Sequence, residues 1–396
     1  MKQELDVKVN ESLANDIQKG VPILHKEGFP LINSLEEGTI IKLRNPSGKF
    51  LAKGYIGYQN KGIGWVLSKN EVETIDTKFF QRKITNAIEY RKDYFQKADT
   101  TAFRVFNGEG DGIGGLTIDY FDGYYLISWY SEGIYSFKEM IIGALEASTP
   151  YKGIYEKKRF DTKGQYLEDD DFVKGERGEF PLIVKENGES FAVYLNDGAM
   201  VGVFLDQRDV RKKIRDAYSK GKTVLNTFSY TGAFSVFAAS GGAKKTTSVD
   251  LAKRSLSKTT EQFEINGIDP TKQDIVVMDV FEYFKYAKRK ELSFDLVILD
   301  PPSFARSKKY TFSSSKDYTK LLKDAISLTN KNGVIIASTN NATFGMKKFK
   351  SFVDKAFKDS NLRYEIEEEY SLPSDFKTNP LFKEGNYLKV LFIRVK

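Results

Sequence analysis

The stretch TVLNTFSYTGAFSVFAAS, residues 223–240, reads as a buried β-strand that runs through a loop with one glycine into an apolar helix. The same alternation repeats downstream. Strand candidates are KTTSVDL at 245–251, DIVVMDV at 274–280, DLVILDPPS at 295–303 and VIIASTN at 334–340. Between them fit the helices AKRSLSKTTEQFEING, FEYFKYAKRK and KDYTKLLKDAISLTNKNG. Strands alternating with helices predict an α/β fold with a doubly wound, mostly parallel, Rossmann-like sheet. After FGMKKFKSFVDKAFKD come two β runs, YEIEEEYSLP and YLKVLFIRVK, with no helix between them. The last strand is therefore expected to enter the sheet antiparallel.

Upstream the chain changes character. Residues 36–78 alternate short β runs with the turns Asn45-Pro46-Ser47-Gly48 and Asn60-Lys61-Gly62, as a small all-β module does. The helical stretch TKFFQRKITNAIEYRKDYF follows, its aromatic stripe read as core. From Phe103 to about residue 195, the Asp122-Gly123 turn, a helix over Ile134 to Ala147 and the run ESFAVYLNDG predict an antiparallel sheet carrying one helix. Gly110-Asp111-Gly112-Ile113-Gly114-Gly115 is no phosphate loop, because no helix with Lys-Ser/Thr follows it; it reads as a wide turn. The expected division is 1–78, 79–195 and 196–396.

Composition narrows the chemistry. Among 396 residues there is no Cys, so disulfides, Cys-ligated zinc, iron–sulfur clusters and thiol nucleophiles fall away, and the one His, His25, leaves no partner for a His-based metal site or a Ser/His/Asp triad. No metal site is expected. Lys plus Arg number 61 against 54 Asp plus Glu, a formal charge of +7, which favours an anionic partner. The opening MKQELDVKVNESL is too charged for a signal or transit sequence, and no stretch approaches the roughly 20 apolar residues of a membrane helix. A cytoplasmic protein without a membrane partner is expected.

Ligands of open α/β sheets bind beyond the carboxyl ends of the strands. The first strand ends in Asn226, Thr227, Phe228, Ser229, Tyr230, Thr231 and Gly232, where the glycine would let the backbone approach a ligand. The second ends in Asp250, placed to accept both hydroxyls of an adenosine ribose, and the third in Asp279-Val280, suited to an adenine amine and ring face. A strand-terminal Asp also serves as a helix cap, so each acid alone says little. Their order describes a nucleoside pocket. With one glycine in the first loop a dinucleotide fits poorly, whereas S-adenosylmethionine, which has no phosphate, fits.

The fourth strand ends in Asp300-Pro301-Pro302-Ser303-Phe304. Two prolines fix the backbone and donate no hydrogen bonds, leaving carbonyls for a ligand. Asp300 can accept from an amine or ring N–H, and Phe304 offers a face for a base.

The run Val224 to Phe234, the acids Asp250 and Asp279, and DPPSFARSKK resemble the class I S-adenosylmethionine-dependent RNA methyltransferases, specifically the large-subunit ribosomal RNA methyltransferases of the RlmI type. Gly202-Val203-Phe204-Leu205-Asp206-Gln207-Arg208 is similar to that family's G-x-[FY]-L-D-Q-R motif, which implies that Phe204, Asp206, Gln207 and Arg208 lie near the methionine part of the donor. GTIIKLRNPSGKFLAKGYI resembles the start of a PUA RNA-binding domain, and by the same resemblance residues 79–195 form the small α/β domain that precedes the catalytic one. Implied partners are 23S ribosomal RNA or a large-subunit precursor; a homodimer is left open.

Several members of that family make 5-methylcytidine with a cysteine placed after the fifth strand. Here the matching stretch is Ser338-Thr339-Asn340-Asn341-Ala342-Thr343-Phe344. An amide cannot add to cytosine carbon 6 as a thiolate does, so cytosine C5 methylation is rejected. DPPSF with paired asparagines looks more like the domain that methylates guanine N7 in large-subunit ribosomal RNA. That nitrogen has an in-plane lone pair and no proton to lose, so alignment is the main requirement. Asn340, Asn341, Arg306 and Lys308 are candidate donors to guanine O6; Phe304, Tyr310 or Phe344 could stack on the base. Residues 303–355 carry 11 Lys plus Arg against 3 Asp plus Glu, a charge suited to phosphate contacts. Methylation of an exocyclic amine such as guanine N2, a non-catalytic assembly factor and a nicotinamide oxidoreductase are the competing readings.

Overall fold

The computed structural model describes residues 4–29, 35–160, 171–198, 201–306 and 310–396. They form two compact units. The first comprises Met1–Val184, Val193–Val201 and Ser374–Gly385, and the second Lys185–Ala192, Gly202–Pro373 and Asn386–Lys396.

The first unit holds two five-stranded sheets. One runs in the order Glu4–Lys8, Ile40–Arg44, Phe50–Gln59, Gly62–Ser68, Ile23–Leu24. The other runs Phe172–Gly175, Gly153–Lys158, Tyr124–Trp129, Leu116–Phe121, Ala102–Asn107. Tyr55 and Trp65 of the first share one hydrophobic core with Phe103, Ile127 and Trp129 of the second and with Phe80 and Ile141 of two helices. The expected boundary at residue 78 thus falls inside an element of a continuous core, the helix Thr77–Tyr90, whose first turn Asp76 caps through the Phe79 N–H.

Asp122 and Gly123, both at positive φ, make the expected tight hairpin turn. The Gly110 to Gly115 segment joins two strands, as a wide turn should. Two expectations fail. Tyr124–Trp129 and Gly153–Lys158 pair in parallel, because the helix Lys138–Glu146 supplies the crossover such a pair needs. The strand Glu189–Val193 lies outside this sheet altogether. Ser374–Gly385 returns to the unit, where Asp375 accepts the Arg104 N–H at 2.8 Å and its carbonyl accepts from Arg91 Nε at 2.8 Å.

The second unit is built on a seven-stranded sheet. Its strands are β1 (Thr223–Thr227), β2 (Lys245–Asp250), β3 (Asp274–Val277), β4 (Phe294–Leu299), β5 (Thr329–Thr339), β6 (Tyr364–Tyr370) and β7 (Lys389–Val395), in the order β3-β2-β1-β4-β5-β7-β6. Strands β1 to β5 pair in parallel, and β7 runs antiparallel to both β5 and β6, as the helix-free carboxyl end predicts. Helices α1 (Ala233–Ser240), α2 (Arg254–Ile265), α3 (Val280–Arg289), α4 (Ser314–Ile326) and α5 (Met346–Asp359) alternate with the strands. The central strands are buried on both sides, by a core containing Leu225, Val297, Leu322 and Phe349 and by one containing Val224, Ile298, Phe234 and Phe392.

The strand order reverses around β1, which puts the crevice between the carboxyl ends of β1 and its neighbours. β1 and β2 end one or two residues before the expected limits, and two further strands stop well short of theirs. β3 stops at Val277, because Asp279 turns to cap α3, and Val280 belongs to that helix. β4 stops at Leu299, where two successive prolines end the ladder for want of N–H donors.

Candidate functional site

Beyond β1 the backbone takes left-handed conformations at Phe228, Tyr230 and Gly232, with φ of 54°, 52° and 79°. Two of these are not glycine, so the loop holds strain of the kind functional loops retain. Gly232 has a packing reason as well. A Cβ there would lie 2.4 Å from Thr259 Cγ2 of α2, so the close approach it permits is that of a neighbouring helix. The expected approach to a ligand is not what the glycine's open side faces.

The loop is pinned from below. Asn226, fully buried, donates from Nδ2 to Ser235 Oγ at 3.0 Å, and its Oδ1 has no hydrogen-bond partner among the described residues. Thr231 Oγ1 donates to the Gly202 carbonyl at 2.6 Å. Phe228 turns its ring to Phe281 and Phe312, in the hydrophobic core. Tyr230 packs against Phe204 with ring centroids 5.4 Å apart, and the Phe204 ring remains 48% exposed.

Asp250 receives the Tyr230 N–H and the Ala252 N–H, each at 2.8 Å. Asp279 spends Oδ1 on the Phe281 and Glu282 N–H groups of α3. Asp279 therefore caps α3, whereas Asp250 closes an Asx turn onto Ala252 and pins the β1 loop at Tyr230, and a carboxylate's four acceptor positions leave each with capacity for a ligand. Val280 is buried in the core. The exposed apolar side chains at this corner are Leu251 and Val277, at the ends of paired strands. Sequence reading passed over both; hydrophobic residues left in water at a sheet's ligand edge were the available signal.

On the other side of β1 lies Asp300. Gln207 Nε2 donates to Asp300 Oδ1 at 3.0 Å and to Ser338 Oγ at 2.7 Å. Burial, with the nearby Asp206 charge, pushes the Asp300 carboxyl up to about 6. Gln207 is 3% exposed and its Oε1 has no partner among the described residues. Tyr387 donates to Asp206 Oδ2 at 2.9 Å. Arg208 is buried. Arg211, one turn on, grips Glu186 with two nitrogens at 2.7 and 2.8 Å and donates to the Phe204 carbonyl at 2.6 Å, which fixes the segment that carries Phe204 and Asp206.

Pro301 is buried and Pro302 exposed. Ser303 donates to Asn340 Oδ1 at 2.7 Å, so the turns after β4 and β5 are joined. Asn341, by contrast, is structural: Oδ1 accepts the Thr343 N–H and hydroxyl, and Nδ2 donates to Ser314. Of the three aromatic candidates, Phe304 is 63% exposed, while Tyr310 packs on Phe281 and Phe344 on Phe352. Arg306 is exposed, and Lys308 lies outside the described residues.

Asp206, Asp300 and the unpartnered Gln207 Oε1 bring three acceptors together. That set suits a cationic ligand bearing an ammonium and a sulfonium, and Asp250 suits a diol, so the residues fit S-adenosylmethionine. Among the described residues no cluster of three or more His, Cys, Asp or Glu could hold a metal, and no helix is long and apolar enough to cross a membrane.

The model of an S-adenosylmethionine-dependent methyltransferase family matches residues 104–376, and that of a PUA-like domain matches residues 7–69. The chain is 62% identical, over 386 residues covering 97% of it and 98% of the relative, to the Bacillus subtilis protein named "Putative ribosomal RNA large subunit methyltransferase YwbD". It is 32% identical over 362 residues, 90% of this chain and 91% of the other, to "Ribosomal RNA large subunit methyltransferase I" of Pseudoalteromonas translucida. A solved structure described as "SMU.776, a putative methyltransferase complexed with SAH" superposes with a TM-score of 0.91 at 39% identity, covering 99% of this chain and all of that one.

Proposed function

Since the chain belongs to the S-adenosylmethionine-dependent methyltransferase family and carries a PUA-like domain, we propose that it methylates a base of large-subunit ribosomal RNA, with guanine N7 as the acceptor atom. The names of the relatives support the RNA class. S-adenosylmethionine supplies an electrophilic methyl group on its sulfonium. Asp206, Gln207, Arg208, Asn226, Asp250, Asp279 and Asp300 would hold that donor, with Phe204, Tyr230 and Leu251 as apolar walls.

The observation that carries the choice of atom is the Ser303–Asn340 hydrogen bond. With Oδ1 engaged by the Ser303 hydroxyl, the Nδ2 amino group is the end of Asn340 offered to a base. A donor there matches the guanine Hoogsteen edge, whose N7 and O6 are both acceptors. N7 carries no proton, so no general base is required, and none of the described groups beside Asn340 needs to act as one. A 5-methylcytidine mechanism would need a thiolate, and the chain has no cysteine. The exposed Phe304 ring is placed to stack on an unpaired or flipped base.

The test is nucleoside mass spectrometry of 23S RNA from cells with and without the protein, combined with borohydride/aniline cleavage mapping. Loss of one 7-methylguanosine is the expected result. Loss of a 2-methylguanosine would move the acceptor to the exocyclic amine, and an unchanged profile would overturn the reading.

A further inference from the structure

Lys389 opens β7 and faces Thr339 across the β5–β7 ladder, at the carboxyl edge of the sheet. Its side chain is buried, with the residue only 4% exposed. The ammonium donates to two backbone carbonyls, Asn341 O at 3.0 Å and Tyr387 O at 2.5 Å, and lies 5.4 Å from the Phe344 ring centroid. No carboxylate among the described residues pairs with it. Withdrawing an uncompensated cation from water costs several kcal/mol, and the strand it opens, KVLFIRV, is otherwise largely apolar. Burial accordingly pushes its pKa down to about 8. For the fold alone, an apolar side chain of the same length would serve better.

What the ammonium touches gives it another purpose. Asn341 closes the turn whose preceding residue, Asn340, is bonded to Ser303 of the Asp-Pro-Pro-Ser turn. Tyr387 donates its hydroxyl to Asp206 on the side proposed for the methyl donor. We infer that Lys389 is a positioning residue for methyl transfer: its ammonium ties the Asn340–Thr343 turn, on the acceptor side, to the Tyr387–Asp206 pair on the donor side, and so sets the distance between the two substrates. This rests on the functional reading above for which side the base enters.

The experiment compares the full-length protein with Lys389→Met, which keeps length and loses the charge, and with Lys389→Arg. Three quantities are read: S-adenosylmethionine affinity by calorimetry, kcat and KM with large-subunit ribosomal RNA, and amide hydrogen exchange of peptides spanning residues 338–346. For Lys389→Met the expectation is faster exchange in that turn, kcat lower by about tenfold or more for the lost charge-assisted hydrogen bonds, a raised KM for RNA, an equal or higher melting temperature and an unchanged donor affinity. Lys389→Arg should recover part of kcat. Exchange and kinetic constants equal to the parent's would overturn the assignment. So would a melting temperature and donor affinity that fall in step with activity, since Lys389 would then be a fold residue. A parent chain that transfers no methyl group to the RNA would sink the functional reading instead, while the exchange and donor-affinity comparison would still decide the role of Lys389.

Discussion

The Gln207 amide lies 3.0 Å from Asp300 Oδ1, and from the same nitrogen it reaches Ser338 Oγ at 2.7 Å. One buried side chain from the segment before the sheet therefore joins the carboxyl ends of β4 and β5. Tyr318 supports the junction from beneath, its hydroxyl donating to the Ser338 carbonyl at 2.6 Å. Replacing Gln207 with Leu removes the donor and leaves the Asp300 carboxylate short of a partner. A hydrogen bond to a charged group contributes about 1.5–3 kcal/mol, so donor affinity should fall by roughly ten- to a hundredfold in calorimetry. Affinity equal to that of the parent protein would show that Asp300 is oriented by something else.

The raised pKa of Asp300 gives the site a pH dependence with a definite sign. A carboxyl group held at about 6 in the fold, against about 3.9 in the unfolded chain, retains its proton more readily when folded. Stability from this group is therefore greatest at low pH and declines as pH rises through 6. Asp300→Asn should be more stable than the parent at pH 8, and the difference should vanish below about pH 4, in urea titrations across that range. Function runs the other way. Only the ionised form attracts a cationic donor, so affinity for S-adenosylmethionine should climb as pH rises through about 6 in the parent and stay flat and weak in Asp300→Asn. A parallel pH profile in the two proteins would remove Asp300 from the donor site.

Phe304 offers a test of the acceptor side that leaves the fold alone. Its ring is 63% exposed, so Phe304→Ala removes little buried surface and should leave the melting temperature unchanged. Stacking of one base on an aromatic ring is worth about 1–3 kcal/mol. The KM for RNA should rise accordingly while donor affinity holds. If both affinities stay at the parent values, the base stacks elsewhere.

The catalytic sheet was legible in the sequence because each of β1 to β5 is a short run that gives way to polar residues and then a helix, and because the two β runs at the carboxyl end have no helix between them. What escaped was set by contacts distant in sequence. Asp279 reads equally as ligand or cap from its neighbours, and the cap is visible only once α3 starts at Val280. Phe228 reads as a donor-site residue and Phe344 as a ring face for the base, yet both pack against the core. Lys389 looks like any strand-opening lysine until β7 is known to lie against β5. In the first unit, the segment 374–385 carries no local sign that it returns to Arg91 and Arg104 across more than 250 residues.

Gly232 separates two reasons for a glycine that sequence cannot distinguish. At φ 79° with Thr259 Cγ2 only 2.4 Å from where a Cβ would sit, alanine meets both a left-handed backbone, about 1–2 kcal/mol, and overpacking against α2, about 1–3 kcal/mol. Gly232→Ala should thus lower unfolding free energy by about 2–5 kcal/mol, read from urea midpoints at constant slope. Thr259→Ala removes the nearest atom and should return the packing part of that loss, so the double variant should be less destabilised than additivity predicts. Donor affinity discriminates the alternative. If the glycine instead serves to admit a ligand, Gly232→Ala will weaken S-adenosylmethionine binding by the same factor whether residue 259 is threonine or alanine, and the stability coupling will be absent.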